Sequence, residues 1–195
     1  GWVLEAMLAF DREVSLIAAR GLTGAMCFYP PTENAHRDGV LRVSTAPAEV
    51  PAAAWAKVTT QVQALLEALD YVGVFTLELF QQGDAFYANE IAPRVHNSGH
   101  WTLDGARTSQ FENHVRAVMG WPLGAAEALC PSAMVNLLGE VPAAETLLRD
   151  PALHLHDYAK APRRGRKVGH INILAPDAKA LSEALAAVPA AVRGV

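Results

Sequence analysis

Short apolar runs separated by turn-forming residues occupy the first 45 positions of the sequence. The runs cover residues 14–19, 25–29 and 40–45, with Pro30-Pro31 and Asp38-Gly39 between them. Apolar or β-prone runs of this length, bounded by glycine and proline, are typical of strands. We therefore expect the chain to open on a set of strands.

A helical spacing replaces this pattern between residues 52 and 69. Apolar side chains recur there every three or four positions, which places them on one helix face: Trp55, Val58, Val62, Leu65 and Leu69. Two further strands, at 74–80 and 85–91, flank a turn that contains Gly83. Glycine in such a short connection predicts a β-hairpin.

Strands and helices also mix in the remainder of the chain. We expect Ser109 to cap a helix that ends near Met119, strands at 133–138 and 168–174, and a last helix capped by Asp177. Because strands and helices do not alternate strictly, the pattern predicts an α+β fold rather than a doubly wound sheet. A cluster of proline and glycine at 122–131 predicts a boundary between units at residues 1–127 and 128–195.

Composition and charge narrow the classes of function. Apolar residues make up 51% of the 195 residues, and the formal net charge is −4. An acidic chain argues against nucleic-acid binding, and no apolar run approaches the ~20 residues of a membrane span. The two cysteines, Cys27 and Cys130, favour a reducing cytoplasm over a disulfide framework. The opening Gly-Trp-Val, without methionine, predicts a piece of a longer chain.

Two carboxylates interrupt the predicted hairpin. Glu78 and Glu90 face the same way if the loop between the strands has an odd number of residues, and a three-residue loop around Gly83 is a common solution. Together with the amide oxygen of Asn89 they form an oxygen-rich site that suits magnesium, whose other ligands are waters and phosphates. The alternative, a solvated sheet face, has about equal weight from spacing alone.

A dense polar segment follows Glu90. It contains Arg94, His96, Asn97 and His100 within a short loop at a strand end, where nothing forms a core. Polar side chains massed at a strand end are typical of a functional site.

These residues resemble a known family. The run 89–94 (NEIAPR) is similar to the magnesium-binding strand end of ATP-grasp ligases. Together with 96–101 (HNSGHW), 108–112, 10–16, 34–39 and 165–170 (GRKVGH), it resembles the 5-(carboxyamino)imidazole ribonucleotide synthase branch. The resemblance implies that residues 1–127 are the second half of an ATP-grasp module with an antiparallel sheet. Residues 128–195 would form a small C-terminal β/α domain.

The resemblance also implies an activity. Such enzymes use ATP and magnesium to phosphorylate bicarbonate, and the carboxyphosphate carboxylates aminoimidazole ribonucleotide in purine biosynthesis. It further implies a homodimer and an N-terminal half, absent from this chain, that carries lysines and a glycine-rich loop over the phosphates. We therefore expect the chain alone to be inactive. The alternatives are another ATP-grasp carboxylase or formate-using ligase, and a noncatalytic nucleotide-binding fragment.

Individual roles follow from the same resemblance. It implies the adenine-binding hinge strand at Glu5, Ala6, Met7 and Leu8, and nucleotide contacts at Glu13, His36, Asn89 and Glu90. It implies metal ligands at Glu78 and Glu90, the bicarbonate loop at Arg94, His96 and Asn97, and grip on the ribonucleotide phosphate by Lys160 and Arg166. His96 would donate to an anion or move a proton.

The plainer interpretations remain open for several of these residues. Without the resemblance, Glu13 is better explained as a surface carboxylate beside Arg12, and the alternative for His36 is a turn residue. The basic run 163–167 reads as a solvated turn or, with little support, an RNA contact. His154 and His156 alternate on a predicted strand, so a metal pair there is conceivable, although the family has none.

Overall fold

Antiparallel pairing joins the strands of the chain into one sheet. The computed structural model describes Leu4 and residues 6–193, apart from the side chains of Thr146 and Ala191. Within these described residues the nine strands are β1 Arg12–Arg20, β2 Met26–Phe28, β3 Thr32–Arg37, β4 Val40–Ala46, β5 Gly73–Gln82, β6 Ala85–Ala92, β7 Ser132–Leu138, β8 Leu153–Asp157 and β9 Lys167–Leu174. Their order is β6-β5-β1-β3-β4-β7-β9-β8, with β2 pairing with β1.

Helices pack on this sheet and complete the predicted α+β fold. They are α1 Ala52–Ala68, α2 Thr102–Gly105, α3 Gln110–Val118, α4 Ala144–Leu147, α5 Ala178–Ala187 and α6 Ala190–Arg193, with a 3-10 turn at Asn97–Gly99. Two predicted caps are present. The Ser109 side chain accepts the Glu112 N–H at 3.1 Å, and that of Asp177 accepts the Ala180 N–H at 2.8 Å. Along the described chain no helix has the length and apolar content needed to cross a membrane.

Helix α1 covers one face of the sheet. Its buried residues Val58, Val62 and Leu66 pack with apolar residues of β1 and β5, among them Leu16 and Phe75. The predicted apolar stripe was wrong at its carboxyl end, where Leu65 is 38% and Leu69 58% exposed. The buried residues of this helix lie four apart, so Leu66 and not Leu65 takes the buried position.

The opposite face of β1 and β5 is buried at one end and polar at the other. Ile17 and Trp101 belong to a core cluster there. Side chains two residues apart along a strand point to the same face of the sheet. The side chains of Glu13 and Ser15 therefore lie on the same face as Ile17. Ser15 pairs with Glu78, which brings Glu78 to the same face. A polar cleft therefore opens on the face that α1 leaves uncovered.

A strand replaces the loop that we expected around His36. Residues Thr32–Arg37 pair with both β1 and β4, so His36 is a strand residue and not a turn residue. The turn is confined to Asp38 and Gly39, with φ of 52° and 69°. Positive φ at both central residues is what a two-residue Asp-Gly hairpin needs. The strand was not predicted because the sequence of β3 is polar. Its backbone hydrogen bonds come from the neighbouring strands β1 and β4.

The sheet runs without a break across the predicted unit boundary. Strand β4, before residue 127, pairs with β7, after residue 128, with Val43 opposite Val135. A core cluster on β7 and β9 includes Val43 as well. The division at 127/128 stays a prediction about the chain.

Candidate active site

A cleft of about 510 Å³ gathers most of the predicted site residues. Its lining comes from six strands, the turn between β3 and β4, and the segment after β6. The lining residues are Glu13, His36, Gly39, Leu41, Glu78, Asn89, Glu90, Arg94, His96, Asn97 and Lys167. Almost all of them are polar or charged, so the cleft is built for a charged ligand.

Two carboxylates face each other on the β5–β6 hairpin. Glu78 lies directly opposite Glu90, so both side chains project from one face of the sheet. We call Glu78 and Glu90 the carboxylate wall. The predicted convergence of these two residues is present, although the loop that produces it differs from our expectation.

A bulge, and not a three-residue loop, brings the two carboxylates into register. The hairpin closes with a two-residue loop, Gly83-Asp84, since Gln82 pairs with Ala85. This register alone would place Asn89 opposite Glu78. The pairing shifts between Glu78 and Leu79, which pairs with Ala88, so Asn89 is the extra residue of a β-bulge. The expected loop was therefore wrong, and the bulge restores the facing pair.

The donor set of the carboxylate wall fits a magnesium ion. Two carboxylates with a neighbouring amide are hard oxygen ligands, which magnesium prefers. Nowhere in the described residues do three or more His, Cys, Asp or Glu side chains gather as a metal site. A metal here would thus take few protein ligands and complete its octahedron with waters and phosphate oxygens.

His96 is bonded to the carboxylate wall. Its Nε2 lies 2.9 Å from Oε1 of Glu78, and both side chains are largely buried. On the other side of the ring, the Ser98 backbone N–H donates to Nδ1 at 3.3 Å. Because a backbone amide is only a donor, Nδ1 accepts and Nε2 carries the proton. His96 therefore donates to Glu78. This hydrogen bond, opposed by burial, lowers the pKa of the Glu78 carboxyl.

Hydrogen bonds from the Gln110 side chain hold the backbone of the loop that carries His96. The fully buried Gln110 side chain accepts the His96 N–H at 2.9 Å and donates to the His96 carbonyl at 2.6 Å. The Thr102 hydroxyl accepts the Gln110 N–H and donates to the carbonyl of Gly99. A Cβ at Gly99 would lie 2.7 Å from the Gln110 side chain, so only glycine allows this approach. Backbone bonds on both sides thus hold His96 in place.

Positive charge lies beside the carboxylate wall. Arg94 and Lys167 both line the cleft, and we call them the cation wall. Lys167 Nζ donates to Oδ1 of Asn97 at 2.9 Å. Burial lowers the pKa of the Lys167 ammonium, Glu78 opposes this shift, and Arg94 adds to it. An anion bound here would be paired with two cations.

Lys167 was missing from the predicted site. It is the first residue of β9, and β9 joins the cleft only through its pairing with β7. The available signal was a lysine directly before the predicted strand 168–174, where a charge beside buried residues needs a partner. The neighbouring Arg166 drew attention instead, because it belongs to the same basic run.

The side chains of the predicted nucleotide residues Glu13 and His36 lie in contact in the cleft. His36 Nδ1 contacts the Glu13 carboxylate from the neighbouring strand β3. Each side chain is 23% exposed. This arrangement differs from the alternative interpretation, a surface carboxylate beside Arg12, since Arg12 bonds to Glu33 at 2.5 Å.

Several predicted residues lie away from the cleft lining. Glu5 is outside the described residues. Ala6, Met7 and Leu8 do not form the expected strand, because no neighbouring segment of the described chain pairs with them, and Met7 is 100% exposed. Lys160 lies over the Tyr158 ring at 4.8 Å, and Arg166 donates to the Ala161 carbonyl at 3.3 Å. Their roles stay predictions.

His154 and His156 share a carboxylate. They alternate on β8 as expected, and both approach Asp104, at 3.7 and 2.7 Å. The Asn172 side chain also donates to Asp104, at 2.6 Å. Asp104 thereby links α2 to β8 and β9 by hydrogen bonds, so this cluster has a structural role outside the cleft lining.

Comparison with known proteins assigns the chain to a family. Residues 1–111 match the ATP-grasp domain. The chain belongs to the ATP-grasp family. Residues 132–184 of this ATP-grasp chain match the phosphoribosylaminoimidazole carboxylase C-terminal domain.

Curated relatives of the ATP-grasp chain include N5-carboxyaminoimidazole ribonucleotide synthases. An N5-carboxyaminoimidazole ribonucleotide synthase of Vibrio cholerae is 50% identical over 177 residues, covering 89% of this chain and 45% of the relative. The synthase of Pseudomonas aeruginosa is 45% identical over 190 residues, covering 97% of this chain and 52% of the relative. The resemblance found in the sequence is confirmed. The chain spans about half the length of the curated relatives it matches.

Solved structures of N5-carboxyaminoimidazole ribonucleotide synthetases also resemble this chain. The N5-carboxyaminoimidazole ribonucleotide synthetase of Thermus thermophilus superposes with a TM-score of 0.93 at 53% identity, covering 96% of this chain and 52% of that one. The Aspergillus clavatus enzyme, in complex with ADP and 5-aminoimidazole ribonucleotide, superposes with a TM-score of 0.80 at 34% identity, covering 91% of this chain and 49% of that one.

Proposed function

We propose that this chain forms half of the active site of an enzyme that carboxylates 5-aminoimidazole ribonucleotide with ATP and bicarbonate. The products would be 5-(carboxyamino)imidazole ribonucleotide, ADP and phosphate, in purine biosynthesis. The observation that carries this proposal is the pairing of a carboxylate wall with a cation wall in one cleft. A metal-bound triphosphate and a small anion need such neighbouring sites of opposite charge.

The carboxylate wall would bind the nucleotide phosphates through magnesium. Glu78 and Glu90 would hold the ion, with Asn89 beside the phosphates. When bound, magnesium supplies charge neutralisation for phosphoryl transfer. The Nε2–H of His96 fixes one oxygen of Glu78 and leaves the other for the metal. His96 would thus act by holding a ligand. Glu13 and His36 would contact the ribose end of ATP, and the segment 5–8 the adenine.

The cation wall would hold bicarbonate. The planar guanidinium of Arg94 matches a planar anion through two parallel hydrogen bonds. Lys167 adds a second charge, and Asn97 an amide donor. A bicarbonate oxygen would attack the γ-phosphorus, and ADP would leave. The resulting carboxyphosphate breaks between carbon and its bridging oxygen, which departs with phosphate. The exocyclic amine bonds the carbon and loses a proton.

The remaining parts of the proposal concern the whole protein. Lys160 and Arg166 would grip the ribonucleotide phosphate. The covering loop and further lysines would come from an N-terminal half outside this chain, and the assembled enzyme would be a cytoplasmic homodimer. The 195-residue chain alone would then leave the triphosphate open to water, where charge contacts are weak.

The test is ADP release by the longer polypeptide that carries this chain, with each substrate omitted in turn. We expect turnover that requires ATP, magnesium, bicarbonate and aminoimidazole ribonucleotide together. Turnover with formate or another amine in place of these substrates would favour another ATP-grasp ligase. Nucleotide binding without turnover would favour a noncatalytic role. Turnover by the isolated chain on the order of 10 per second would contradict the missing-half proposal.

A further inference from the structure

Asn136 is a buried polar residue in the middle of an apolar strand. It lies on β7, is fully buried, and does not line the cleft. Burying an unpaired amide is unfavourable, so its hydrogen bonds indicate why it is there. All of them lead toward the cleft.

The partners of Asn136 fix which way its amide points. Its Nδ2 lies 2.9 Å from the carbonyl oxygen of Leu41. A carbonyl only accepts, so the nitrogen must be on this side. The same nitrogen donates to Oδ1 of Asn97 at 2.6 Å, and Oδ1 of Asn136 accepts from Nδ2 of Asn97 at 3.0 Å. The two side chains therefore form a reciprocal amide pair.

The amide pair in turn fixes Asn97. Oδ1 of Asn97 accepts from Asn136 and from the ammonium of Lys167, at 2.6 and 2.9 Å, which uses both lone pairs. Its Nδ2 keeps one hydrogen for a ligand in the cleft. A flipped Asn97 would turn its NH2 group against the Lys167 ammonium, where two donors would oppose each other.

We propose that Asn136 is a positioning residue for the anion site. From β7, which lies between the cleft-lining strands β4 and β9, it holds Asn97 in the orientation that retains the Lys167 ammonium and directs a free N–H into the cleft. The identity of the anion as bicarbonate rests on the proposed function. The orientation itself follows from the Leu41 carbonyl, which starts this chain of hydrogen bonds.

The first test replaces Asn136 in the longer polypeptide that carries the chain. Asn136→Leu should lower kcat/KM for bicarbonate roughly tenfold, since it releases hydrogen bonds to a charged group, and change the KM for ATP by less than about twofold. If bicarbonate dependence is unchanged, the proposal is overturned. Asn136→Ser, which shortens the side chain, serves the same test if the leucine variant does not fold.

A double-substitution cycle separates positioning from general loosening. If Asn136 acts through Asn97, adding Asn136→Leu to Asn97→Ala should lower kcat/KM by less than about twofold further. Losses that multiply in full would show that Asn136 acts independently of Asn97 and would overturn the proposal.

Asn172→Leu is the matched control. Asn172 is also fully buried, lies on the neighbouring strand β9, and bonds to Asp104 and the His100 carbonyl instead of a cleft side chain. It should lower the melting temperature but leave kcat/KM for bicarbonate within about twofold. A fall equal to that of Asn136→Leu would overturn the proposal.

A readout without turnover keeps this inference separate from the proposed function. In the amide pair, the side-chain NH2 protons of Asn97 should give distinct NMR signals that exchange slowly with water. Asn136→Leu should move these signals and speed their exchange. This result would support the positioning role even if no carboxylation were found, and unchanged signals would overturn it.

Discussion

The two walls of the cleft are built over very different distances along the chain. The carboxylate wall lies within one hairpin, where a bulge at Asn89 sets Glu78 opposite Glu90. The cation wall joins Arg94, in the loop after that hairpin, to Lys167 on β9. Its geometry depends on Asn97 and on the buried Asn136. One wall therefore depends on local strand pairing, and the other on the assembly of the whole sheet.

This difference predicts how each wall fails. A change in the hairpin should remove one chemical group and leave the remainder of the site intact. A change under the cation wall should act at a distance, because strands β4, β7 and β9 must pair before Lys167 reaches the cleft. The predictions below test the two walls separately.

The largest effect is expected at the carboxylate wall. Glu90→Gln in the longer polypeptide should lower turnover by about 10³-fold or more, since it would remove a proposed charged ligand of the ion that neutralises the phosphates. Nucleotide binding, measured by calorimetry, should weaken much less. Asp84→Asn, at the exposed tip of the same hairpin, is the control and should keep turnover. Wild-type turnover in Glu90→Gln would remove Glu90 from the metal site.

A stability effect is expected beneath the cation wall. Burial, with neighbouring His100 and His156, lowers the pKa of His170 from 6.5 to about 3. The unfolded imidazole binds a proton below about pH 6.5 while the folded one stays neutral, so stability falls as the pH drops through this window. Between pH 7 and pH 5 the loss from His170 should be roughly 2 kcal/mol.

Denaturant unfolding of the chain at both pH values measures this loss. His170→Gln should lower stability at pH 7 but reduce the additional loss at pH 5 by roughly the same 2 kcal/mol. The same substitution at exposed His154, on the adjacent strand, controls for the removal of an imidazole. Equal acid sensitivity of the His170 variant and the wild type would contradict a buried, neutral His170.

A smaller effect on rate is expected at Arg94. Arg94→Lys keeps the charge but loses the planar fork, so the bicarbonate-dependent rate should fall about tenfold. A titration of bicarbonate at saturating ATP measures it. Arg107→Lys, outside the cleft lining, provides the matched control. If the bicarbonate dependence of Arg94→Lys stays at the wild-type value, Arg94 acts elsewhere.

The smallest effect is expected outside the cleft lining. Arg166→Ala should raise the KM for aminoimidazole ribonucleotide a few-fold, as loss of one exposed charge contact does, and leave the KM for ATP nearly unchanged. Steady-state kinetics with each substrate varied would show the split. A change confined to the ATP dependence would instead place the basic run at the nucleotide.

The carboxylate wall could be predicted from the sequence more fully than the cation wall. The hairpin, the facing Glu78 and Glu90, and the helix caps at Ser109 and Asp177 depend on neighbouring residues, so local pattern predicted them. The bulge at Asn89 was not predicted, because the sequence around it does not indicate which residue is left out of the strand pairing.

Only part of the cation wall was predicted, because its residues are brought together by contacts between distant parts of the chain. Lys167 and Asn97 meet 70 positions apart, through a sheet order that the sequence does not state. A buried asparagine such as Asn136 is also indistinguishable from a surface one until its strand is placed. Likewise, β3 has a polar sequence and becomes a strand because β1 and β4 flank it.

The most direct measurement of the central claim follows one oxygen atom. The longer polypeptide that carries this chain is mixed with ATP, magnesium, aminoimidazole ribonucleotide and bicarbonate labelled with oxygen-18, and the released phosphate is analysed by mass spectrometry. If the cleft joins bicarbonate to the γ-phosphoryl group, each phosphate should carry one labelled oxygen, and its release should require the ribonucleotide. Carboxylation accompanied by unlabelled phosphate would contradict the claim that the two walls bring these reactants together.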